Sequence, residues 1–313
     1  MIFARSFARS FAPLFARSGF VSLFAAVALF AASASAQQNF DKVEIKTQKI
    51  NDTTYMLLGA GGNMGLSVGE DAVFLIDDQY APLTAKILAA IKALTPKPVS
   101  FVMNTHWHGD HAGGNVNMGK AGAMIVAHDN VRKRLSSEQF NELFKSTTPA
   151  MAKAGLPVVS FSQDVTFHLN GEEIFAFHVP KAHTDGDAII HFRKGNIIHM
   201  GDTYFNGLYP FIDSSSGGTA DGAIAAADRV LALADDNTKI IPGHGPMSNK
   251  AELKVYREML ATVTTRLKAL LKEGKKLDEI LAAKPTADFD ERWGKGFLPP
   301  AKFIEIVVSG LQK

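Results

Sequence analysis

The chain has 313 residues, 46% of them hydrophobic, and contains no cysteine. Disulfides and thiolate metal ligands are thereby excluded, so any metal must be held by nitrogen and oxygen. The formal charge of +2 belongs to the first residues: without Arg5, Arg9 and Arg17, 30 basic side chains face 31 acidic ones, a balance that does not suggest a nucleic-acid-binding surface.

Residues 1–36 read as a secretory signal peptide. A basic start without acids leads into the apolar run Phe20 to Ala32, and Ala34-Ser35-Ala36 offers small residues for cleavage after Ala36. The run is short for a membrane span. The expected product is a periplasmic or secreted chain from Gln37, with no membrane attachment once the leader is removed. Residues 37–313 carry no repeat and no linker rich in proline or serine, and are expected to form one domain.

Val43 to Leu58 predicts two short strands about an Asn51-Asp52 turn. Gly59 to Gly65, with four glycines, predicts a mobile loop, either a flap over substrate or a plain turn. Met64 to Val68 and Ala72 to Ile76 read as further strands around the Gly69-Glu70-Asp71 turn. Pro82 opens a helix that presents Leu83, Ile87, Leu88, Ile91 and Leu94 on one face and stops at Thr95-Pro96. Ser100 to Asn104 is a buried strand leading into a histidine-rich loop. Ala123 to Ala127 is another strand, and Asp129 is placed to cap a helix through Leu135. Residues 136–160 are expected to begin helical and become irregular around Pro149 and Pro157.

Val165 to Leu169 and Glu173 to Val179 form a hairpin across Asn170-Gly171. Ala188 to Phe192 and Asn196 to Met200 pair around Lys194-Gly195. Ala220 to Ala234 is helical, Lys239-Ile240-Ile241 is a short strand, and the chain from Lys250 is mainly helical. The strands fall in two groups, each followed by helices, which favours two sheets covered by helices.

The chemistry concentrates in Thr105-His106-Trp107-His108-Gly109-Asp110-His111. Neutral imidazoles and a carboxylate suit a borderline metal such as zinc. In a loop, His106 and His108 can reach one ion while Asp110 and His111 turn toward a second, about 3.5–4 Å away in two-metal sites. Three further residues stand at predicted strand ends: His183 in Ala182-His183-Thr184-Asp185-Gly186-Asp187, Asp202 in Met200-Gly201-Asp202-Thr203, and His244 in Pro242-Gly243-His244-Gly245. Each alone has an ordinary explanation as a cap, a turn residue or a loop histidine. Their conjunction with the first cluster points to a metal site. His128, His168, His178, His191 and His199 read as structural histidines, and Trp107 as a buried support.

In this order the motifs resemble those of the metallo-β-lactamase superfamily, over roughly Val43 to Gly245. The resemblance implies an α/β fold, a four-layer αββα sandwich with the metal site at one edge. It implies two zinc ions per chain, one held by His106, His108 and His183, the other by Asp110, His111 and His244, with Asp202 bridging. Asp77, in Leu75-Ile76-Asp77, matches the family's early aspartate, which orients the site from behind the ligands. The implied reaction is hydrolysis: a hydroxide generated on the metal pair attacks an acyl carbon, and Asp110 can manage a proton.

The well-known zinc β-lactamases carry cysteine where Asp202 stands and a lysine where Phe205 stands. Gly201-Asp202-Thr203-Tyr204-Phe205 is instead similar to the glyoxalase II branch, while Asn104 to His108 and Ala112 to Asn115 resemble the β-lactamases. The expected function is an exported zinc hydrolase of a small-molecule acyl bond, a β-lactam amide first and a lactone or thioester second. Lys181, beside His183, is a candidate cation for a substrate carboxylate. An iron redox branch generally has a carboxylate where His108 stands, which argues for zinc. No oligomeric state is specified.

Overall fold

A computed structural model describes residues 39–141 and 145–312; the expected leader lies outside them. Among the described residues thirteen strands make two sheets, whose central strands alternate their side chains between two apolar environments. The first sheet holds β1 (Lys46–Lys49), β2 (Thr54–Leu58), β3 (Met64–Val68), β4 (Val73–Ile76), β5 (Phe101–Met103), β6 (Met124–His128) and, beyond the hairpin of β7 (Gln139–Asn141) and β8 (Ser146–Thr148), β9 (Val159–Phe161). Its spatial order is β1-β2-β3-β4-β5-β6-β9. Strands β1 to β4 form an antiparallel meander, and β4, β5, β6 and β9 run parallel.

The second sheet holds β10 (Asp164–Leu169), β11 (Glu172–His178), β12 (Ala188–Phe192), β13 (Ile197–His199), β14 (Lys239–Ile241) and β15 (Ser248–Asn249), in sequence order. All its neighbours are antiparallel except β13 and β14.

On β4, Phe74 and Ile76 enter the space between the sheets, where they meet Ile174, Ala188, Ile190, Phe192 and Ile241. Their neighbours Val73 and Leu75 face the opposite way, onto Leu83 and onto Ile87 and Ile91 of α1 (Thr84–Lys92). The period of two places successive side chains on opposite faces. Burial of each such side chain contributes about 1.5–3 kcal/mol. In the second sheet Ile197 and Ile241 face inward, whereas Ile198 and Ile240 pack on a helical layer. That layer consists of α5 (Ala220–Leu233), α6 (Lys250–Lys272) and α9 (Pro300–Leu311), with short α7 (Leu277–Ala282) and α8 (Asp290–Trp293) between the last two. Helix, sheet, sheet, helix is thus the order of layers, as the resemblance implied. Residues Asn39–Lys313 form one compact unit.

Three expectations are corrected. Residues 136–160 do not begin as a helix. Helix α4 (Asp129–Leu135) stops at Ser136, and the chain turns into the β7–β8 hairpin; Ser146-Thr147-Thr148 is poor helix material because β-branched side chains lose rotamer freedom there. The cap of α4 is His128, whose Nδ1 accepts from the Asn130 N–H at 3.2 Å, and Asp129 sits in the first turn, where its charge suits the helix dipole. Residues Gly59 to Gly65 are tied down rather than loose. Asn63 N donates to the Gly243 carbonyl at 2.7 Å, its Nδ2 to the Pro242 and Gly245 carbonyls, and Gly62 N to the Asp110 carbonyl at 3.0 Å.

Candidate metal centre

Strand direction explains why distant residues converge. β4 and β5 are parallel, as are β13 and β14. Asp77 follows β4, the histidine loop follows β5, Asp202 follows β13 and His244 lies shortly beyond β14. Loops beyond the carboxyl ends of parallel strands share one edge of a sheet, and here both sheets direct theirs to the same place.

Within the histidine loop the backbone changes character at His108, the extended residue before the single turn α2 (Gly109–Ala112). His106 and His108 precede the turn, and Asp110 and His111 ride on it. The two pairs therefore face different targets. His106, His108 and His183 form one group; Asp110, His111, Asp202 and His244 form another; within each, ligand atoms lie within 4.8 Å of one another. All seven residues proposed from sequence are brought together. Asp202 also reaches toward the first group, with Oδ2 3.5 Å from His183 Nε2 and 3.9 Å from His106 Nε2. Its Oδ1 lies 2.9 Å from His111 Nε2 and 3.4 Å from His244 Nε2.

Four of these imidazoles are oriented by a partner on the other ring nitrogen. His106 Nδ1 lies 3.0 Å from Thr105 Oγ1, and His183 Nδ1 lies 2.7 Å from the Phe211 carbonyl. His111 Nδ1 lies 2.7 Å from Asp77 Oδ2, and His108 Nε2 lies 3.0 Å from Asp213 Oδ2. Such partners fix the ring and its tautomer, and they raise the basicity of the nitrogen left for a metal. His108 consequently offers Nδ1, which sits 2.8 Å from His183 Nε2.

Asp77 is held in the left-handed region at φ 60° and has no exposed surface. Its carboxylate also accepts from Thr105 N and Thr105 Oγ1, both at 2.7 Å. Such strain in a non-glycine residue persists when the surroundings fix it.

The residues fit a metal pair. His106 Nε2 is buried and makes no hydrogen bond, a costly state for an imidazole nitrogen that a ligand would relieve. Burial, with His111 and His183 nearby, drives the His106 pKa well below its usual value, and burial takes His183 to about 4. Both stay neutral, as ligands must. In the second group, burial opposes charge on His111 and His244, but Asp202 and Asp110 outweigh it. His111 is held well above its usual value and His244 rises to about 9. Burial opposes ionisation of Asp110, yet His111 and His244 bring it down to about 2. The carboxylates thus hold positive charge here, and a divalent cation would take over the place of those protons.

Sequence reasoning missed Asp213, Phe211 and Asp187. Asp213 accepts from Ser215 N, Ser216 N and Ser216 Oγ as well as facing His108. Trp107 Nε1 donates to the same Ser216 Oγ at 3.2 Å, which makes Trp107 a support while its ring still lines the cavity. Asp187 accepts from His183 N, Thr184 N and Thr184 Oγ1, shaping the His183 loop. In sequence, Asp213-Ser214-Ser215-Ser216 signals only a turn. His199, read from sequence as a structural histidine, lies 3.0 Å from the Asn63 carbonyl and pins the glycine-rich segment. Lys181 is exposed, lends its carbonyl to Thr219, and does not line the cavity.

The sequence profile of the Metallo-beta-lactamase superfamily matches residues 59–244, more than half the chain and every residue of both groups. The chain belongs to the metallo-beta-lactamase superfamily. A Hydroxyacylglutathione hydrolase from Nitrosococcus oceani is 28% identical over 161 residues, 51% of this chain and 54% of that protein; the match spans about half of that relative. Among solved structures, a metallo-beta-lactamase from Pontibacter korlensis superposes with a TM-score of 0.59 at 18% identity, over 70% of this chain and 99% of that one. The inverting sec-alkylsulfatase Pisa1 from Pseudomonas sp. gives 0.64 at 18% identity, over 85% of this chain and 50% of that one. These structural likenesses concern the fold. Superfamily membership and the two ligand groups together give the chain a candidate metal site.

Proposed function

We propose that this member is an exported dizinc hydrolase of activated acyl bonds. The observation that carries the reading is the pairing of a neutral three-imidazole group with a carboxylate-rich group, Asp202 standing between them. Zinc is favoured by the first group, three imidazoles without a carboxylate. When bound, the metal pair supplies Lewis acidity and a nucleophile at neutral pH.

The protein's own residues do the rest. Asp77 and Asp213 hold His111 and His108 in place. Asp110, beside His244 at 3.3 Å, is positioned to accept a proton from an attacking water and pass it to a leaving group. Trp107, Phe205 and Phe211 wall the cavity and keep bulk water from the reacting carbonyl.

β-Lactam ring opening at high KM is the first substrate reading, since export would place the protein where such antibiotics arrive. Phe205 favours a second reading, an ester, lactone or thioester. It is fully buried and stacks on His244 at 5.1 Å, so this position supplies no charge-assisted bond to a substrate carboxylate, a contact worth about 1.5–3 kcal/mol. Zinc-loaded mature protein assayed in parallel on a penicillin, a cephalosporin, a carbapenem, lactones and thioesters, before and after chelation, tests both. Metal-dependent turnover of at least one class is expected; none at all would refute the hydrolase assignment.

A further inference from the structure

The cavity above the two ligand groups measures about 510 Å³, within the usual range for a small-molecule site. Its described wall contains five aromatic rings, those of Tyr80, Trp107, Phe205, Phe211 and Phe297, and neither lysine nor arginine. Apart from the ligands His108, Asp110, Asp202 and His244 and the Tyr80 hydroxyl, its polar groups come from Asn141, Ser146 and Thr148 on the β7–β8 hairpin, which are uncharged. Lys145, on the same hairpin, lines the neighbouring cavity on the other side of Phe211. Phe297 is 57% exposed and its ring lies 6.3 Å from that of Phe205, so the aromatic wall continues from the buried floor to the rim.

The charge around the site points the same way. Asp110 and Asp202 stand among the ligands, and Asp77 and Asp213 press against His111 and His108. Four carboxylates offset the charge that two divalent ions would bring, leaving little field to draw in a substrate anion.

We infer that this site selects uncharged acyl substrates with an apolar tail over those carrying a carboxylate. The inference rests on the hydrolase reading above for its chemistry, and on the cavity wall for its selectivity. The tail lies along Phe205, Phe211 and Phe297, where aromatic surface recognises it by burial. The hairpin hydroxyls are left to hydrogen-bond the ester or lactone oxygens. A substrate carboxylate loses its hydration along the same wall with no lysine or arginine among its described residues to replace it.

Two matched pairs test this in the zinc-loaded protein: p-nitrophenyl butyrate against p-nitrophenyl hydrogen glutarate, and a chromogenic cephalosporin against its methyl ester. The neutral member of each pair should show a kcat/KM at least tenfold higher, mostly through KM; equal or reversed values overturn the proposal. A second arm needs no turnover. Calorimetric titration with 6-phenylhexanol, uncharged and with no acyl bond, should show saturable binding that Phe297→Ser weakens at least threefold. No binding, or equal binding by the variant, overturns the apolar wall. Turnover of none of the four substrates would instead refute the hydrolase reading, and the calorimetry would still decide the wall.

Discussion

Asp77 Oδ2 and His111 Nδ1 meet at 2.7 Å, and neither side chain has any exposed surface. The same carboxylate binds both donors of Thr105, so one buried acid fixes the start of the histidine loop and the ring at its end. Asp77→Asn keeps the shape and removes the charge. Affinity of the second group for zinc should fall about 10- to 100-fold, the usual effect of losing such a partner, with the three-histidine group little changed. Competition against a chromogenic chelator measures this, and unchanged second-ion affinity would remove Asp77 from the site.

Asp202→Ala and His106→Ala should separate the two groups. Asp202 contributes charge between them, so its loss should mainly release the second ion. His106 is one of only three protein ligands in its group, and its loss should abolish turnover. Metal analysis is expected to give two zinc equivalents for the parent and about one for Asp202→Ala. Retention of both ions and full rate by Asp202→Ala would rule out a shared ligand.

Gly62 lies where a Cβ would come within 2.0 Å of His111 Cε1. In Gly62→Ala either the ring or the pinned segment must shift. A cost of about 1–3 kcal/mol is expected, as for overpacked interiors, together with weaker binding of the second ion. Chemical denaturation and zinc titration read the two effects separately. A variant with parent stability and affinity would mean that this segment yields freely.

His128 and His178 stack face to face, with centroids 3.8 Å apart and planes 11° from parallel. Burial lowers both pKa values, and for His128 the neighbouring His178 lowers it further. The folded protein therefore binds fewer protons here than the unfolded chain. Stability from this pair is fully present above about pH 6.5, the free imidazole value, and is lost as pH falls through the folded values. Thermal midpoints of the parent should drop across that window more steeply than those of His178→Gln. Parallel slopes would show that the stack carries no acid sensitivity.

Much of this was legible in the sequence, for local reasons. The unbroken apolar run Ala72 to Ile76 announced a strand buried on both faces, and ligands followed strand ends because scaffolds converge chemistry in such loops. The β7–β8 hairpin was not legible, because Phe140 is half exposed and no buried face imposes a period. Nor was Asp213, which stands 105 residues from His108 inside a serine run that reads as a turn. The glycines before β3 looked like freedom. Their reason is crowding, since the backbone there passes directly over His111.

The parallel pairing of β13 with β14 sets Ile198 against Ile240 and His199 against Ile241. Asp202 and His244 leave these two strands a few residues later, so the alignment acts as a ruler for their separation. A slip of one residue would turn β14 inside out. A slip of two would restore its faces but carry His244 about 6.5 Å along the strand, beyond reach of any ion that Asp202 could share. Misaligned chains could bury their isoleucines equally well and still be unable to gather both residues on one ion. Zinc present during folding would therefore act as a proofreader of strand alignment, rewarding only the one arrangement in which the two loops end level.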